Sequence, residues 1–203
     1  MTPQAPIRPR LVFCGVGALG SQAVLLCRNL PARLEFVDGD RVETKNLLSQ
    51  AYVRQSVGKL KAQALALQLR NFYRVEAEAS SVRLGETNAR QFLEGATLAV
   101  DCFDNAASRR LLSAKCRELG VPLLHGALAG DGAFGIVRWD ERFEADEEGT
   151  PGQPTCEGGE HLPLITLVAA TLARTIQDFL RSGERRDSMV SLTGVEGLLH
   201  APR

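Results

Sequence analysis

The sequence lacks an excess of charge of either sign. Its 203 residues contain 24 lysines and arginines and 24 aspartates and glutamates. A protein that binds nucleic acid or an anionic membrane surface by bulk electrostatics carries a basic excess. The composition therefore gives no argument for a nucleic-acid or membrane partner, and we expect neither.

Long hydrophobic runs are also missing. Residues 1–6 show no apolar core of a signal peptide, and no run is long enough to cross a bilayer. Hydrophobic residues still make up 44% of the chain, which is enough to build a sizeable core. We expect a single cytoplasmic domain over residues 1–203.

The cysteines show no paired spacing. The five cysteines stand at positions 14, 27, 102, 116 and 156, and no CxxC pair occurs. An odd number argues against a disulfide framework, and the missing pairs argue against a four-cysteine zinc site. We therefore expect a reducing compartment and no structural zinc.

What the sequence does contain is a glycine turn followed by a carboxylate. An apolar strand, the turn, a helix and a second apolar strand follow one another over residues 11–37. The turn holds Gly15, Gly17 and Gly20, whose missing side chains let the backbone approach a phosphate at a helix start. Asp38, after the second strand, stands where a carboxylate accepts hydrogen bonds from ribose hydroxyls. This pattern is typical of a nucleotide-binding α/β unit.

Strand and helix patterns alternate along the rest of the chain. Helices are predicted over 59–72, 87–94, 108–119 and 162–180, and strands over 75–82, 98–100, 122–125, 133–139 and 188–192. The alternation predicts a Rossmann-like α/β fold, with a doubly wound, mostly parallel sheet and helices on both faces. We expect residues 195–203 to be frayed.

One internal segment shows little periodicity. Residues 141–158 are acidic and rich in glycine and proline. Unstructured segments of this length in compact domains are usually functional or disordered. We expect a mobile crossover loop over about residues 141–160.

Four motifs in a fixed order are more specific than the glycines alone. They are DGDRV, NLLSQ, GKLK and DCFDN, beginning at residues 38, 46, 58 and 101. In order and spacing they resemble the ThiF/MoeB/HesA family of adenylating domains, which are related to ubiquitin-activating enzymes. The resemblance covers about residues 11–180, most of the chain.

The resemblance implies an ATP-dependent adenylyltransferase. Its substrate would be the C-terminal glycine of a small ubiquitin-like or sulfur-carrier protein that ends in Gly-Gly. ATP and Mg²⁺ would be the cofactors, since the developing charge on phosphate oxygens calls for a metal and fixed cations. The resemblance also implies a homodimer or heterodimer.

Site roles follow from the matching positions. The implied cofactor-binding residues are Gly15, Gly17, Gly20, Asp38, Asp40, Asn46, Gln50, Lys61 and Asp104. Asp38 would hold the ribose, and Asp104 would ligate Mg²⁺, a cation that prefers oxygen ligands. Lys61 and Arg54 would act in catalysis as cations near the phosphates.

Three further side chains have open interpretations. Cys156 lies in Thr-Cys-Glu, where ThiF and MoeB relatives carry a cysteine that accepts an acyl or persulfide group, so it is either a catalytic nucleophile or an inert thiol. Arg109 is either a structural ion pair or a ligand for a carboxylate or phosphate. His125, at a strand end, fits a hydrogen-bonded structural residue better than a catalytic one.

Departures from the family pattern leave alternatives open. Ser49 replaces the arginine of the second motif, and we expect the helices that usually precede the first strand to be absent. A non-catalytic ThiF-like subunit or scaffold is therefore the main alternative. An NAD(P)-dependent oxidoreductase would share the glycine turn, but Lys61, Asp104 and the missing hydride-transfer acid–base pair disfavour it.

Overall fold

Strands and helices alternate along the chain, as predicted. The structure is a computed structural model that describes residues 8–144 and 159–197. The strands are β1 (Arg10–Cys14), β2 (Arg33–Val37), β3 (Ala77–Ser80), β4 (Leu98–Asp101), β5 (Leu123–Leu128), β6 (Phe134–Trp139), β7 (Ser188–Ser191) and β8 (Gly194–Gly197). The helices are α1 (Ala18–Cys27), α2 (Lys61–Gln68), α3 (Ala89–Leu93), α4 (Ala106–Leu119) and α5 (Leu162–Ser182).

All eight strands join one sheet, in the order β3-β2-β1-β4-β5-β6-β7-β8. The pairs from β3 to β5 are parallel, and the pairs from β5 to β8 are antiparallel. The direction of winding reverses between β1 and β4, and ligands bind outside the carboxyl ends of the strands at such a point. The predicted doubly wound, mostly parallel fold is confirmed.

Alternate residues of β1 face opposite layers of helices. Leu11 and Phe13 belong to a buried cluster with residues of α1, α2 and α5. Val12 and Cys14 belong to a second cluster with residues of α3 and α4. Since successive strand side chains point to opposite faces, one apolar run builds both cores. Helices therefore cover both faces, as predicted.

The long helix α5 covers the antiparallel half of the sheet. It packs along α1 and against β5, β6 and β7. Trp139, at the end of β6, is fully buried, with its ring 5.0 Å from that of Phe179 on α5. In the ranges given above, no helix combines the length and apolar character that crossing a bilayer requires.

Several boundaries differ from the predicted ones. Helix α1 begins at Ala18, before the last glycine of the turn, because the glycine turn runs directly into the helix. The segment predicted as one helix over 59–72 is α2 followed by a π-helical turn that ends at Arg74 in a left-handed conformation. Fraying of residues 195–197 was a wrong prediction, since they pair with β7. All four residues of β8 are exposed, so the sequence there shows no alternation of apolar and polar residues that would predict a strand.

Candidate functional site

Each glycine of the turn has its own structural setting. Gly15 adopts a φ of +88°, a conformation that side chains disfavour, and its N–H donates to the Val37 carbonyl at 2.9 Å. A Cβ at Gly20 would overlap the Gly15 carbonyl oxygen, so the start of α1 packs on the turn only with glycine there. A Cβ at Gly17 would meet no protein atom within 4 Å. Gly15 and Gly20 are required by the fold, whereas Gly17 faces open space.

That open space is a cavity of about 430 Å³ beyond the carboxyl ends of β1, β2 and β4. Its size lies in the range of small-molecule sites. Five residues from the predicted nucleotide site line it: Gly15, Gly17, Asp38, Asp40 and Asp104. The structure thus brings together residues that the sequence spreads over three motifs.

Asp38 is fixed at the cavity wall by backbone amides. The N–H of Val16 donates to Oδ2 at 2.9 Å and that of Asp40 to Oδ1 at 2.8 Å. Asp38 is only 8% exposed. Each carboxylate oxygen has further acceptor capacity, so two hydroxyl groups of a ligand can still donate to it.

Lys61 lies behind Asp40 at the start of α2. Its Nζ is 3.2 Å from Asp40 Oδ2, and its backbone N–H donates to the Asp40 carbonyl at 2.9 Å. The exposed guanidinium of Arg83 lies 3.4 Å from the other Asp40 oxygen and lines the cavity. Two cations therefore flank one carboxylate here. Sequence reasoning missed Arg83, although it closely follows the carboxyl end of β3 and so reaches the same edge of the sheet.

Asp104 is exposed on the opposite wall. Its Oδ1 accepts a long hydrogen bond of 3.4 Å from the Asn105 side chain, while Asn105 caps α4 through Ser108. The described part of the chain contains no cluster of three or more potential metal-ligating side chains. A divalent cation held by Asp104 would therefore take its other ligands from substrate oxygens and water.

Lys61 and three other residues predicted for the nucleotide site, Asn46, Gln50 and Arg54, lie outside the cavity lining. Asn46 is buried and caps the turn Thr44–Leu48, accepting a hydrogen bond of 2.8 Å from the Glu43 N–H. The Oε1 atom of Gln50 is buried, with no hydrogen-bond partner among the residues that the structure describes. Arg54 is exposed at the start of the turn Arg54–Ser56. Their contact with phosphates stays a prediction.

Arg109 forms a structural ion pair, the first of the two roles considered for it from the sequence. Its Nη1 lies 2.9 Å from Oδ2 of Asp101, the buried last residue of β4. Its Nη2 donates to the carbonyl oxygens of Phe103 and Gly126, the second at 3.1 Å. These bonds turn the guanidinium toward the protein and tie the Phe103 backbone to β5.

His125 lies fully buried between two carboxylates. Its Nδ1 is 2.7 Å from Asp101 Oδ2, and its Nε2 is 3.0 Å from Asp140 Oδ1. The ring of Phe143 stacks on the imidazole at 3.9 Å between centroids. Burial opposes the charged imidazolium, but the hydrogen bonds to the two aspartates outweigh it and raise the pKa of His125.

Sequence reasoning missed Asp140, the partner of His125 beyond β6. Burial acts to raise the pKa of Asp140, but hydrogen bonds from His125, Ser113 and Arg117 lower it to about 2. A polar stripe on α4 could have signalled this network. Arg109, Ser113 and Arg117 recur at intervals of four residues and so lie on one face of the helix.

The four cysteines in the described ranges are buried and free. Burial raises the pKa of each thiol, to about 12 for Cys27 and Cys116. Thiols with such pKa values are poor nucleophiles near neutral pH. Cys156 lies outside the described residues.

Sequence comparison finds a consistent set of relatives. A model of the ThiF family matches residues 8–185. The SAMP-activating enzyme E1 of Haloferax volcanii is 35% identical over 122 residues, covering 59% of this chain and 45% of that enzyme. The adenylyltransferase and sulfurtransferase MOCS3 of Caenorhabditis briggsae is 33% identical over 138 residues, covering 66% of this chain and 30% of that protein. The chain thus spans less than half the length of these relatives.

Solved structures share the fold. E. coli MccB, determined with MccA-N7isoASN, superposes with a TM-score of 0.75 at 15% identity, over 94% of this chain and 64% of that one. E. coli tRNA N6-threonylcarbamoyladenosine dehydratase, TcdA, gives a TM-score of 0.55 at 22% identity, over 64% and 58% of the two chains. Another structure of MccB was solved with ATP.

Proposed function

Since this chain belongs to the ThiF family, we propose that it uses ATP to adenylate the C-terminal glycine of a small ubiquitin-like or sulfur-carrier protein. The observation that carries the proposal is the meeting of Gly17, Asp38 and Asp104 at one cavity. The names of the relatives, a SAMP-activating enzyme and an adenylyltransferase, support this class of reaction.

The nucleotide would occupy the cavity with its ribose toward Asp38. Both Asp38 oxygens are already oriented by backbone amides and keep acceptor capacity for the ribose hydroxyls. The phosphates would lie over Gly17, where no side chain intervenes, at the amino terminus of α1. The unpaired N–H groups and dipole of a helix start favour that negative charge.

The reaction is a substitution at the α-phosphorus. A carboxylate oxygen of the carrier forms a bond to that phosphorus, and the bond from phosphorus to the bridging oxygen breaks. Pyrophosphate leaves with the electron pair, and the carrier becomes an acyl-adenylate. Lys61 would stabilise the charge on the leaving phosphates by exchanging its contact with Asp40 for them.

The residues around Asp104 fit a bound Mg²⁺. The carboxylate is exposed to the cavity, and among the described residues its one hydrogen bond is the long one from Asn105. Mg²⁺ characteristically takes one or two carboxylates together with phosphate oxygens and water. When bound, it would neutralise charge on the phosphates, while Asp104 holds it at the cavity wall.

We propose that a later acyl transfer uses Cys156. The four buried cysteines have raised pKa values and so are unsuited to attack, which leaves Cys156 as the thiol for this role. Its sulfur would attack the acyl carbon, the bond from that carbon to the phosphate oxygen would break, and AMP would leave. The thiol proton would pass to solvent, and a thioester would form.

Pyrophosphate exchange into ATP tests the function. The protein is incubated with Mg²⁺, ATP, labelled pyrophosphate and each of a panel of ubiquitin-like or sulfur-carrier proteins from the same genome. Exchange should require one carrier and disappear when its terminal glycine is removed. If every carrier supports no more exchange than its truncated form, adenylation is the wrong function. Sedimentation of the same sample tests the expected homodimer or heterodimer.

A non-catalytic scaffold is the second candidate. Ser49 stands where the family motif has arginine, and it is only 2% exposed, so the position offers no cation at the cavity. This candidate predicts binding of a carrier with no exchange. Measuring carrier binding on the samples used for exchange separates the two functions.

A further inference from the structure

The backbone beside Asp104 is held by a carboxylate that the proposed reaction does not use. Residues 102–105, here called the cavity loop, all line the cavity. The Phe103 N–H donates to Asp101 Oδ1 at 2.9 Å. The other Asp101 oxygen accepts from Arg109 and from His125, at 2.9 and 2.7 Å. Asp101 is fully buried, so the cavity loop depends on how this carboxylate is oriented.

His125 connects Asp101 to a distant anchor. Both of its ring nitrogens face carboxylate oxygens, so both donate, and the imidazole is held from both sides. Asp140, at the far side, accepts from Ser113 Oγ at 2.5 Å and from Arg117 Nε at 2.6 Å. The chain of bonds therefore runs from α4 through Asp140 and His125 to Asp101.

We propose that His125 is a positioning residue for nucleotide binding, acting through Asp101 to fix the Phe103 backbone and hence the place of Asp104. The proposal rests on the proposed function in one respect, which is that the ligand of the cavity is ATP with Mg²⁺. It assigns His125 no contact with the nucleotide. Removal of the imidazole should loosen the cavity loop and weaken nucleotide binding.

Among the charged and titratable groups around His125, the histidine itself is the one whose protonation should control the network. The charged or titratable groups packed around it and its partners are Asp101, Asp140, Arg109, Arg117 and the thiols of Cys14, Cys102 and Cys116. Burial raises the pKa values of the thiols, so they stay neutral around neutral pH. Asp140 accepts from Arg117 as well as from the histidine, and these bonds lower its pKa, so it stays ionised there. Within this network, His125 is the group whose charge changes as the pH rises through its raised pKa.

The test compares the wild type with His125→Asn, with Asp140→Asn and with His161→Asn as a matched control. His161 lies at the start of α5, outside this network. Hydrogen–deuterium exchange of the cavity loop is measured without nucleotide, and the Kd for ATP with Mg²⁺ is measured by calorimetry. We expect both network variants to speed exchange at the Phe103 amide and to weaken ATP binding about tenfold, the size of effect that follows removal of an outer-shell partner at metal sites. The control should match the wild type.

Two features separate positioning from general destabilisation. The double variant should bind ATP as weakly as His125→Asn alone, because both substitutions break one chain of bonds. The ratio of the Kd of His125→Asn to that of the wild type should also fall toward one as the pH rises through the raised pKa of His125. Titration of ATP itself cancels in that ratio.

The outcomes distinguish this proposal from the proposed function. Unchanged exchange at Phe103 in both network variants, with urea midpoints showing that they fold, would overturn the positioning role. Additive losses in the double variant would overturn it as well. Faster exchange in a protein whose wild type binds no ATP would support positioning of the loop and refute the proposed ligand.

Discussion

Lys61 and Asp40 form an ion pair of unequal exposure at the cavity. Their charged atoms lie 3.2 Å apart, and the lysine side chain is 10% exposed whereas that of the aspartate is 51% exposed. Since the ammonium is largely removed from water, loss of its carboxylate partner would leave a buried charge uncompensated. The pair therefore holds the lysine in place before phosphates arrive.

Lys61→Ala should lower kcat for pyrophosphate exchange about 10²-fold and change the Kd for ATP much less. The reason is that its charge is most useful once pyrophosphate begins to leave. Lys59→Ala, at an exposed position of the same motif, serves as the control and should behave as the wild type. Equal losses in kcat and affinity would mean that Lys61 makes only a ground-state contact.

Asp104→Ala should reduce exchange by at least about 10²-fold without loss of fold, since the side chain is exposed and would hold Mg²⁺ at the phosphates. Exchange rates report activity, and circular dichroism reports the fold. Asp131→Ala removes an exposed carboxylate outside the cavity lining and should leave the rate unchanged. Rates for Asp104→Ala within a few-fold of the wild type would refute its assignment as a metal ligand.

Gly20→Ala should lower the stability of the protein, whereas Gly17→Ala should weaken ATP binding and leave stability nearly unchanged. A methyl group at Gly20 would overlap the Gly15 carbonyl, so the free energy of unfolding should fall by about 1–3 kcal/mol. A methyl group at Gly17 meets no protein atom and should change that free energy by less than about 0.5 kcal/mol. It should nevertheless weaken ATP binding, because it occupies space that the phosphates need. Urea unfolding and calorimetry measure the two effects, and normal ATP affinity in Gly17→Ala would contradict the proposed phosphate position.

The stability of the protein should fall at both ends of a pH window set by His125 and Asp140. The raised pKa of His125 contributes stability that is complete below its unfolded value of about 6.5 and is lost as the pH rises through the folded pKa. The Asp140 pKa of about 2 contributes stability that is complete above the unfolded value of about 3.9 and is lost as the pH falls toward 2. Urea midpoints across pH measure both limits. His125→Asn should flatten the alkaline limb and Asp140→Asn the acid limb; unchanged limbs in both variants would contradict the assignment.

Cys156 should form a covalent adduct with the carrier when ATP and Mg²⁺ are present. The adduct should be cleaved by hydroxylamine, as a thioester is, and should be absent from Cys156→Ala. Cys27→Ala provides the control, because that thiol is buried and its pKa of about 12 keeps it unreactive. Gel electrophoresis under non-reducing conditions detects the product. Normal transfer of the acyl group to its acceptor by Cys156→Ala would make the cysteine a bystander.

Much of the cavity could be predicted from sequence because its residues follow strand ends. Gly15, Gly17, Asp38 and Asp104 each come after a short apolar run whose direction is fixed by the βαβ rule. Parallel strands bring their carboxyl ends to one edge, so local patterns suffice to place these residues together. Asn46, which caps its own turn, shows the limit, since a motif match does not say whether a polar side chain points to a ligand or to its own backbone.

The network around His125 could not be predicted in the same way, because it depends on strand register. Asp101 and His125 are direct partners across β4 and β5. Asp140 follows Trp139, the residue of β6 that pairs with Leu124, next to His125. A shift of one residue in either pairing would turn these side chains to opposite faces. The stripe of Arg109 and Arg117 on α4 indicates that a buried anion exists, but it does not say which strand supplies it.

The three glycines of the turn also differ in what would allow them to change over evolutionary time. Substitution of Gly15 is opposed by its backbone angle and substitution of Gly20 by the packing of α1, so both are constrained by folding alone. Only Gly17 is constrained by what enters the cavity. A descendant that had stopped binding a nucleotide could lose Gly17 while keeping Gly15 and Gly20. A residue other than glycine at position 17 would therefore mark a family member that no longer binds nucleotide.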